Sequence, residues 1–311
     1  MFTSKKGALQ RLFLRPVIEQ YVAMSPAWRC DESQWMGDIS QRTRKAARLC
    51  LCCFFLLSTG QAAIAETACP LSHAHKTAYD ETATVRYVHD GDTLHLQDGR
   101  KVRLIGINTA EVAHGTSAAE AFSNEAKNIL KAFFDKDKTI SLVYGEDKQD
   151  HYKRVLAHAF SKDGTNIQAA LLNQGYAHAI TFPPNTRFSA CYLEQERKAR
   201  CSKTGLWKQT NPVKAKNIND THIGFKLVKG KVTSINTNKK GIWLSLDDVL
   251  TVGIRPDNQP LFDIDKLHRM LNQSIVVRGW LSKSKSKKYN PYYIRVRHPL
   301  SIQLADAFTC N

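Results

Sequence analysis

Three short stretches of the chain gather side chains able to do chemistry. Val88-His89-Asp90-Gly91-Asp92-Thr93 ends an apolar run in two carboxylates around a glycine. Val102-Arg103-Leu104 sets an arginine between apolar neighbours, and Asn108-Thr109-Ala110-Glu111 follows with an amide, a hydroxyl and a carboxylate. Asp150-His151-Tyr152-Lys153-Arg154 places a second arginine just before another apolar run. Oxygen donors such as these suit a hard cation, Ca²⁺ in particular. Two guanidinium forks match the oxygens of a phosphate. A carboxylate beside them can activate water. The inventory points to phosphodiester hydrolysis. Asp90 reads as a residue that caps the turn.

These groups act together only if the elements between them fold them into one place. Residues 83–89, 93–97 and 101–107 alternate as strands, with Asp98-Gly99 as a hairpin turn. An amphipathic helix is expected over 117–134, where Ala121, Ala126, Ile129, Leu130 and Phe133 recur at helical spacing. Strands follow at 139–144 and 155–160, then helices at 166–174, closed by Gly175, and 191–200. Five strands with a helix after the third is the order of an oligonucleotide-binding-type (OB) barrel. The expected class is therefore a β-barrel with helices (α+β).

The domain plan is a leader at 1–65, a polar lead-in at 66–82, the first domain at 83–209 and a linker at 210–222. A β-rich domain at 223–305 and a tail at 306–311 complete it. Strands at 225–235, 241–246 and 249–254, a helix at 264–271 and strands at 274–281 and 292–296 repeat the first order, so a second, small OB-like domain is expected. No residue-level repeat links the two.

The leader reads as a signal peptide. Arg42, Arg44, Lys45 and Arg48 form a basic region, residues 49–57 an apolar core, and Ala63-Ile64-Ala65 a cleavage site. A membrane anchor is the alternative. Residues 1–35 exceed an ordinary basic region, so Met36 or Met24 is the expected start. Cleavage after Ala65 leaves a secreted or periplasmic chain without an anchor. Cys69, Cys191, Cys201 and Cys310 stay with it, an even number suited to an oxidising compartment. Of three possible pairings, Cys69–Cys191 with Cys201–Cys310 is favoured, because it staples both tails. Cys191 and Cys201 sit on or near one helix, too far apart to bond each other. None of the four has zinc-ligand spacing. The chain carries a formal net charge of +17, and removal of residues 1–65 takes nine basic and four acidic residues, leaving +12. Such charge calls for an acidic partner, nucleic acid or an anionic membrane surface. The modest glycine and proline content excludes wholesale disorder.

Taken together, D-G-D-T, R-L-x-G-I-N-T-x-E, D-x-Y-x-R and the closing Gly205-Leu206-Trp207 resemble, in order and spacing, the staphylococcal nuclease (thermonuclease) family from about residue 83 to 207. The resemblance implies a five-stranded barrel with three helices and a Ca²⁺-dependent nuclease acting on DNA or RNA to give 3′-phosphates. It assigns Asp92, Asn108 and Thr109 to the metal, the last through its backbone carbonyl. Glu111 orients or deprotonates water, and Arg103 and Arg154 grip the scissile phosphate. Tyr152, and His151 beside it, are candidates to touch the nucleotide. Phe182 stands where the family uses tyrosine near the bound base, with a core aromatic as the alternative.

Two departures weaken the pattern. Asn108 replaces an aspartate, so the cation meets one charge fewer and looser binding is expected. Ala110 replaces a proline, loosening the loop that carries Glu111. A catalytically weak or inactive nucleic-acid-binding module is accordingly the second reading, and a lipid-facing envelope protein the third. Lys283–Lys288 (KSKSKK) with Tyr289, Tyr292 and Tyr293 reads either as an oligonucleotide-binding loop or as a solvated hairpin tip. Nothing points to an obligate protein partner.

Overall fold

Val102 and Leu104 point inward and are fully buried, while Arg103 between them faces the other way, and this two-residue period builds the first barrel. The computed structural model describes residues 68–113, 120–284 and 290–310. The leader to Ala65 and the loop at 285–289 lie outside the described residues.

The first domain runs β1 (Glu81–Val88), β2 (Thr93–Leu96), β3 (Lys101–Leu104), β4 (Ile107–Asn108), α1 (Ser123–Ala132), β5 (Thr139–Gln149), β6 (Val155–Ser161), α2 (Ile167–Asn173), β7 (His178–Ala179) and α3 (Ser189–Cys201). Strands β1-β2-β3-β6-β5 close into a barrel in that order, antiparallel except for β3 and β6. Leu94, Leu96, Leu104, Ile140, Leu142 and Phe160 fill it. Full burial of each such side chain contributes about 1.5–3 kcal/mol. Of the expected helix over 117–134, residues 117–119 lie outside the described residues, and the described part is helical over Ser123–Ala132. The helix begins at Ser123, because Phe122 takes a left-handed φ of 68° that ordinary side chains resist. Asn166 caps α2 by accepting from Ala169 N. Beyond α2, Gly175 has φ 73°, and a Cβ there would lie 2.2 Å from Thr204 O. That close approach lets Leu206 N donate to Gly175 O, so the Gly-Leu-Trp motif closes the domain by docking on the end of α2.

The second domain adds β8 (Val213–Lys214), β9 (Gly224–Asn238), β10 (Gly241–Leu246), β11 (Leu250–Ile254), α4 (Ile264–His268), β12 (Ser274–Lys283), β13 (Tyr292–Val296), β14 (Ile302–Leu304) and α5 (Ala305–Phe308). Strands β9-β10-β11-β13-β12 close on themselves through the β12–β9 pairing, again with one parallel pair, β11 with β13. The helix α4 falls after the third barrel strand, as α1 does. The expected second barrel is present, and its topology matches the first strand for strand. The stretch 210–222, expected as a linker, is partly built into it: β8 pairs with β9, and Ala215 and Ile218 join the second core. The two apolar residues, spaced to fall on one side of a short turn, are the reason.

The barrels share an apolar seam of Ala199, Leu206, Trp207, Leu227, Val276 and Phe308. Within it Glu196 of α3, fully buried, receives Arg278 of β12 at 2.7 and 2.8 Å. Both favoured disulfides are formed, Cys69–Cys191 with Cα atoms 5.8 Å apart and Cys201–Cys310 at 5.2 Å. The second ties α3 to the C-terminal end.

Candidate active site

Strand pairing brings the three motifs to one end of the first barrel. Thr93 lies opposite Arg103, and Leu104 N donates to Asp92 O at 2.8 Å, so β2 and β3 hold Asp92 beside Arg103. The parallel register Val102 to Val155 then sets Arg154, the residue before β6, next to the start of β3. Gly91 explains the glycine of the first motif. A Cβ there would lie 2.8 Å from the Thr109 side chain and from Ala126 Cβ. Only a bare backbone lets the Asp90–Asp92 turn press against both the 108–111 segment and α1.

Asp92 is the hub. It is 5% exposed. Its Oδ2 accepts from Arg103 Nη2 at 2.9 Å and from Thr109 N and Oγ1 at 3.2 and 3.1 Å, while Oδ1 accepts from Thr93 Oγ1 at 3.2 Å. Burial, helped by the neighbouring Asp90 charge, pushes its carboxyl up to about 6, against the opposing pull of Arg103 and Thr109. Asp90 Oδ1 accepts from Asp92 N at 2.9 Å, the turn-capping role expected of it. Arg103 also donates from Nη1 to Leu104 O at 2.6 Å and from Nη2 to Ile107 O at 3.1 Å. Of its five N–H groups, Nε–H and one on Nη1 are left over.

Arg154 is held differently. Asp150 Oδ2 accepts from its Nε at 2.8 Å, and Asp150 Oδ1 accepts from the backbone N–H of Tyr152 and Arg154 at 2.9 and 3.0 Å. Lys153, at φ 62°, completes the tight turn. Burial raises the Asp150 carboxyl, but the Arg154 bonds outweigh it and hold the group below its ordinary value. The first and last residues of D-x-Y-x-R are thus one device: the aspartate orients the guanidinium from behind and leaves both Nη atoms without a hydrogen-bond partner among the described residues.

A cavity of about 360 Å³ opens in front of Arg154, lined also by Glu111, Asp90, Thr93, Tyr87, His89, His95 and Lys101. Glu111 is exposed; its backbone N–H donates to Glu120 Oε2 at 2.9 Å, and Glu120 N donates back to Glu111 O at 2.9 Å. The two bonds clasp Glu111 to Glu120. Sequence reasoning missed Tyr87, His95 and Lys101. They lie on outward positions of β1, β2 and β3, and only the closed pairing of those strands puts them beside Glu111. Tyr87 stacks on His95 with ring centres 4.3 Å apart. Burial, then the Lys101 charge, lowers the His95 pKa.

Three expected residues remain. Asn108, half-buried, follows Ile107 on β4, which pairs with β7. Tyr152 is 69% exposed beneath the Arg154 guanidinium, 5.5 Å from its ring centre, and packs on His151. Phe182 does not line this cavity. Its ring lies 5.7 Å from Trp280 of the second barrel, with Arg297 4.9 Å from its centre. A partner on the far barrel has no signal in the local sequence around residue 182.

Asp92, Asn108 and Thr109 offer oxygen donors only, the set that a hard cation takes. A cation would relieve the same burial that raises the Asp92 pKa. Among the described residues, however, no three His, Cys, Asp or Glu side chains are grouped to hold a metal ion. Asp92 Oδ2 is also engaged by Arg103 and Thr109. The residues fit a hard cation bound loosely, with one full charge from this trio.

A closed five-stranded barrel with three helices, carrying two arginines and two carboxylates at one end, defines an OB-type barrel domain. Residues 101–209 match the family described as staphylococcal nuclease homologue. Similar proteins include the thermonuclease of Staphylococcus intermedius, 26% identical over 143 residues, 45% of this chain and 84% of that protein. An uncharacterized protein of Bacillus anthracis is 34% identical over 138 residues, 43% of this chain and 64% of its own length. Endonuclease YncB of Bacillus subtilis is 28% identical over 135 residues, 42% and 63% respectively. The chain thus spans less than two thirds of the two Bacillus relatives. The family match stops before the second barrel.

Proposed function

We propose that the chain is an exported, Ca²⁺-dependent endonuclease that hydrolyses phosphodiester bonds of DNA or RNA with low sequence specificity. The observation that carries this reading is the cavity in which Glu111 and the free Nη face of Arg154 meet. Similarity to a thermonuclease and to an endonuclease supports it. Glu111 accepts a proton from water as the water oxygen bonds to phosphorus. The bond from phosphorus to the 5′ oxygen breaks, leaving a 3′-phosphate and a 5′ hydroxyl protonated from solvent. Arg154 donates to the non-bridging oxygens as their charge grows, and one such donor contributes about 10²–10³ in rate. Arg103 adds less, because Asp92 and two carbonyls take most of its donors. Asp92, Asn108 and Thr109 would hold Ca²⁺, which supplies Lewis-acid charge when bound. With Asn108 as an amide, affinity on the order of 10⁻⁴–10⁻³ M is expected. Low specificity follows because these groups address phosphate and not base edges. Export rests on the basic and apolar segments before Ala65, and the two disulfides support an oxidising destination.

Plasmid nicking by the purified chain, with Ca²⁺ and with chelator, tests the proposal. Nicking that needs Ca²⁺ and drops at least a hundredfold in Arg154→Ala supports it, while Glu111→Gln slows turnover more than it weakens nucleotide binding. Binding without cleavage favours the second reading, a nucleic-acid-binding module. Asn108 and the ties on Arg103 are the features in its favour.

A further inference from the structure

We infer that Trp280 and Arg297 of the second barrel, with Phe182 of the first, form a stacking site for single-stranded nucleic acid, separate from the cleavage pocket. The inference rests on the nuclease reading for its substrate class. Trp280 is 43% exposed and Phe182 37% exposed, although both rings lie where two domains meet. Apolar rings at a domain junction bury each other when nothing else claims them. These two keep open surface, and their ring planes are within 34° of each other. Phe225 meets Trp280 edge-on at 5.0 Å and fixes its orientation.

The charges around the rings suit a phosphodiester chain. Arg278, Arg295 and Arg297 line one small cavity with Phe182 and Trp280. Arg278 is neutralised by Glu196. Arg295 pairs with Asp257 at 2.7 Å, yet its buried Nε has no partner among the described residues. Arg297 lies over the Phe182 ring and makes no ion pair or hydrogen bond with a described residue. A site with exposed rings and an unpaired guanidinium fits a ligand that alternates flat bases with phosphates. A purely apolar peptide would leave Arg297 uncompensated. The positive formal charge of the chain favours the same ligand.

The site is tied to the first barrel through the backbone beside Asn108. Ile180 N donates to Gly106 O at 3.0 Å, and His178 pairs with Asn108. The segment carrying Phe182 therefore runs beside β4, the edge that carries Asn108. A substrate long enough to pass that edge would reach the second barrel at Trp280. The second domain thereby lengthens the grip on a single strand without reading its sequence.

The experiment measures binding of a fluorescein-labelled oligothymidylate of ~20 nucleotides to the full chain in chelator, by anisotropy. Trp280→Ala weakens binding by roughly 5- to 100-fold, the range for loss of one base–aromatic stack. Trp280→Phe restores most of it. Arg297→Ala weakens binding and flattens its dependence on salt by about 0.7 in logarithmic slope, one phosphate contact fewer on a single strand. In Ca²⁺ the variants lose more on the long oligonucleotide than on a dinucleotide. Wild-type affinity in both Trp280→Ala and Arg297→Ala overturns the inference, as does an equal loss on the dinucleotide. If Trp280→Ala fails to fold, Arg297→Ala decides. A wild-type chain that binds at this site but never cleaves refutes the nuclease reading and leaves this one standing.

Discussion

Removing the arginine at the heart of the domain seam gives a sharp test of what joins the two barrels. Glu196 has no exposed surface, and Arg278 Nη1 and Nη2 approach its two oxygens at 2.7 and 2.8 Å. Arg278→Met keeps the unbranched apolar stem without the guanidinium and removes both bonds, together with a 2.8 Å bond to Ala179 O. Stranding a buried charge costs about 3–5 kcal/mol. Glu196 is not wholly stranded, because Ala179 N at 2.6 Å and Arg200 Nη1 at 3.3 Å still reach it. The expected loss is therefore near ~3 kcal/mol. For a body of this size that is a fall of roughly 6–12 °C in melting temperature. Glu196→Leu alone leaves Arg278 buried with no carboxylate and strands Ala179 N, so it costs at least as much. The double variant Glu196→Leu with Arg278→Met removes both members of the pair and leaves only Arg200, still bonded to Phe308 O, without its carboxylate; it loses less than the two singles combined, with a coupling of about 2 kcal/mol or more. Urea unfolding of the four chains, with m-values compared, measures this. Additive losses, or an Arg278→Met chain within ~0.5 kcal/mol of wild type, would refute the claim that this pair locks the barrels.

Four further outcomes are expected. Asp150→Ala lowers nicking nearly as far as Arg154→Ala with the melting temperature little changed, since the aspartate acts through the guanidinium; steady-state rates on plasmid check it. Asn108→Asp tightens Ca²⁺ in a calorimetric titration, and unchanged affinity removes Asn108 from the ligand set. His158, 2% exposed, is held neutral by burial with its pKa down to about 3, so the unfolded chain takes up a proton below about 6.5 that the folded one refuses. Stability therefore falls by about 1.4 kcal/mol per pH unit from that group as pH drops from ~6.5 toward 3, and urea midpoints for His158→Gln change less over that range than wild type. Cys201→Ser with Cys310→Ser, opening a loop of 109 residues, lowers stability by about 2–5 kcal/mol, and urea unfolding without reductant reads the loss.

The strand order is legible because alternation is local. Leu94, Leu96, Val102 and Leu104 lie on the inward positions of their strands, and that two-residue period marks both barrels. The helix between Cys191 and Cys201 excludes one of the three cysteine pairings, and the folded positions of Cys69 and Cys310 choose between the other two. The catalytic candidates stand in short motifs, and the structure gathers Asp92, Arg103, Thr109, Glu111 and Arg154 at one end of the barrel. The start of α1 is not legible, since nothing local marks Phe122 for a left-handed φ. Tyr87, His95 and Lys101 escape notice because they are ordinary outward residues until three strands close. Phe182 is assigned by its place in the family pattern, and its neighbours are Trp280 and Arg297, about a hundred residues later in the chain.

The same seam connects stability with the site. Glu196 accepts from Ala179 N, and Ala179 pairs with Ile107, whose neighbour is Asn108. Arg278 and Ala179 O extend that chain of contacts into the second barrel. The edge strand carrying Asn108 is only two residues long, too short to hold its own position. Its placement depends on β7, and β7 depends on Glu196. The second barrel therefore does more than add surface: by neutralising Glu196 it fixes the strand that positions Asn108. A domain excised before β8 would leave Glu196 without Arg278, and it should lose order at β4 and β7 before the rest of the first barrel opens. Hydrogen exchange at Ala179 and Asn108, compared with the amides of β2 and β3, would show that order of events, and equal protection of all these sites in the excised domain would contradict it.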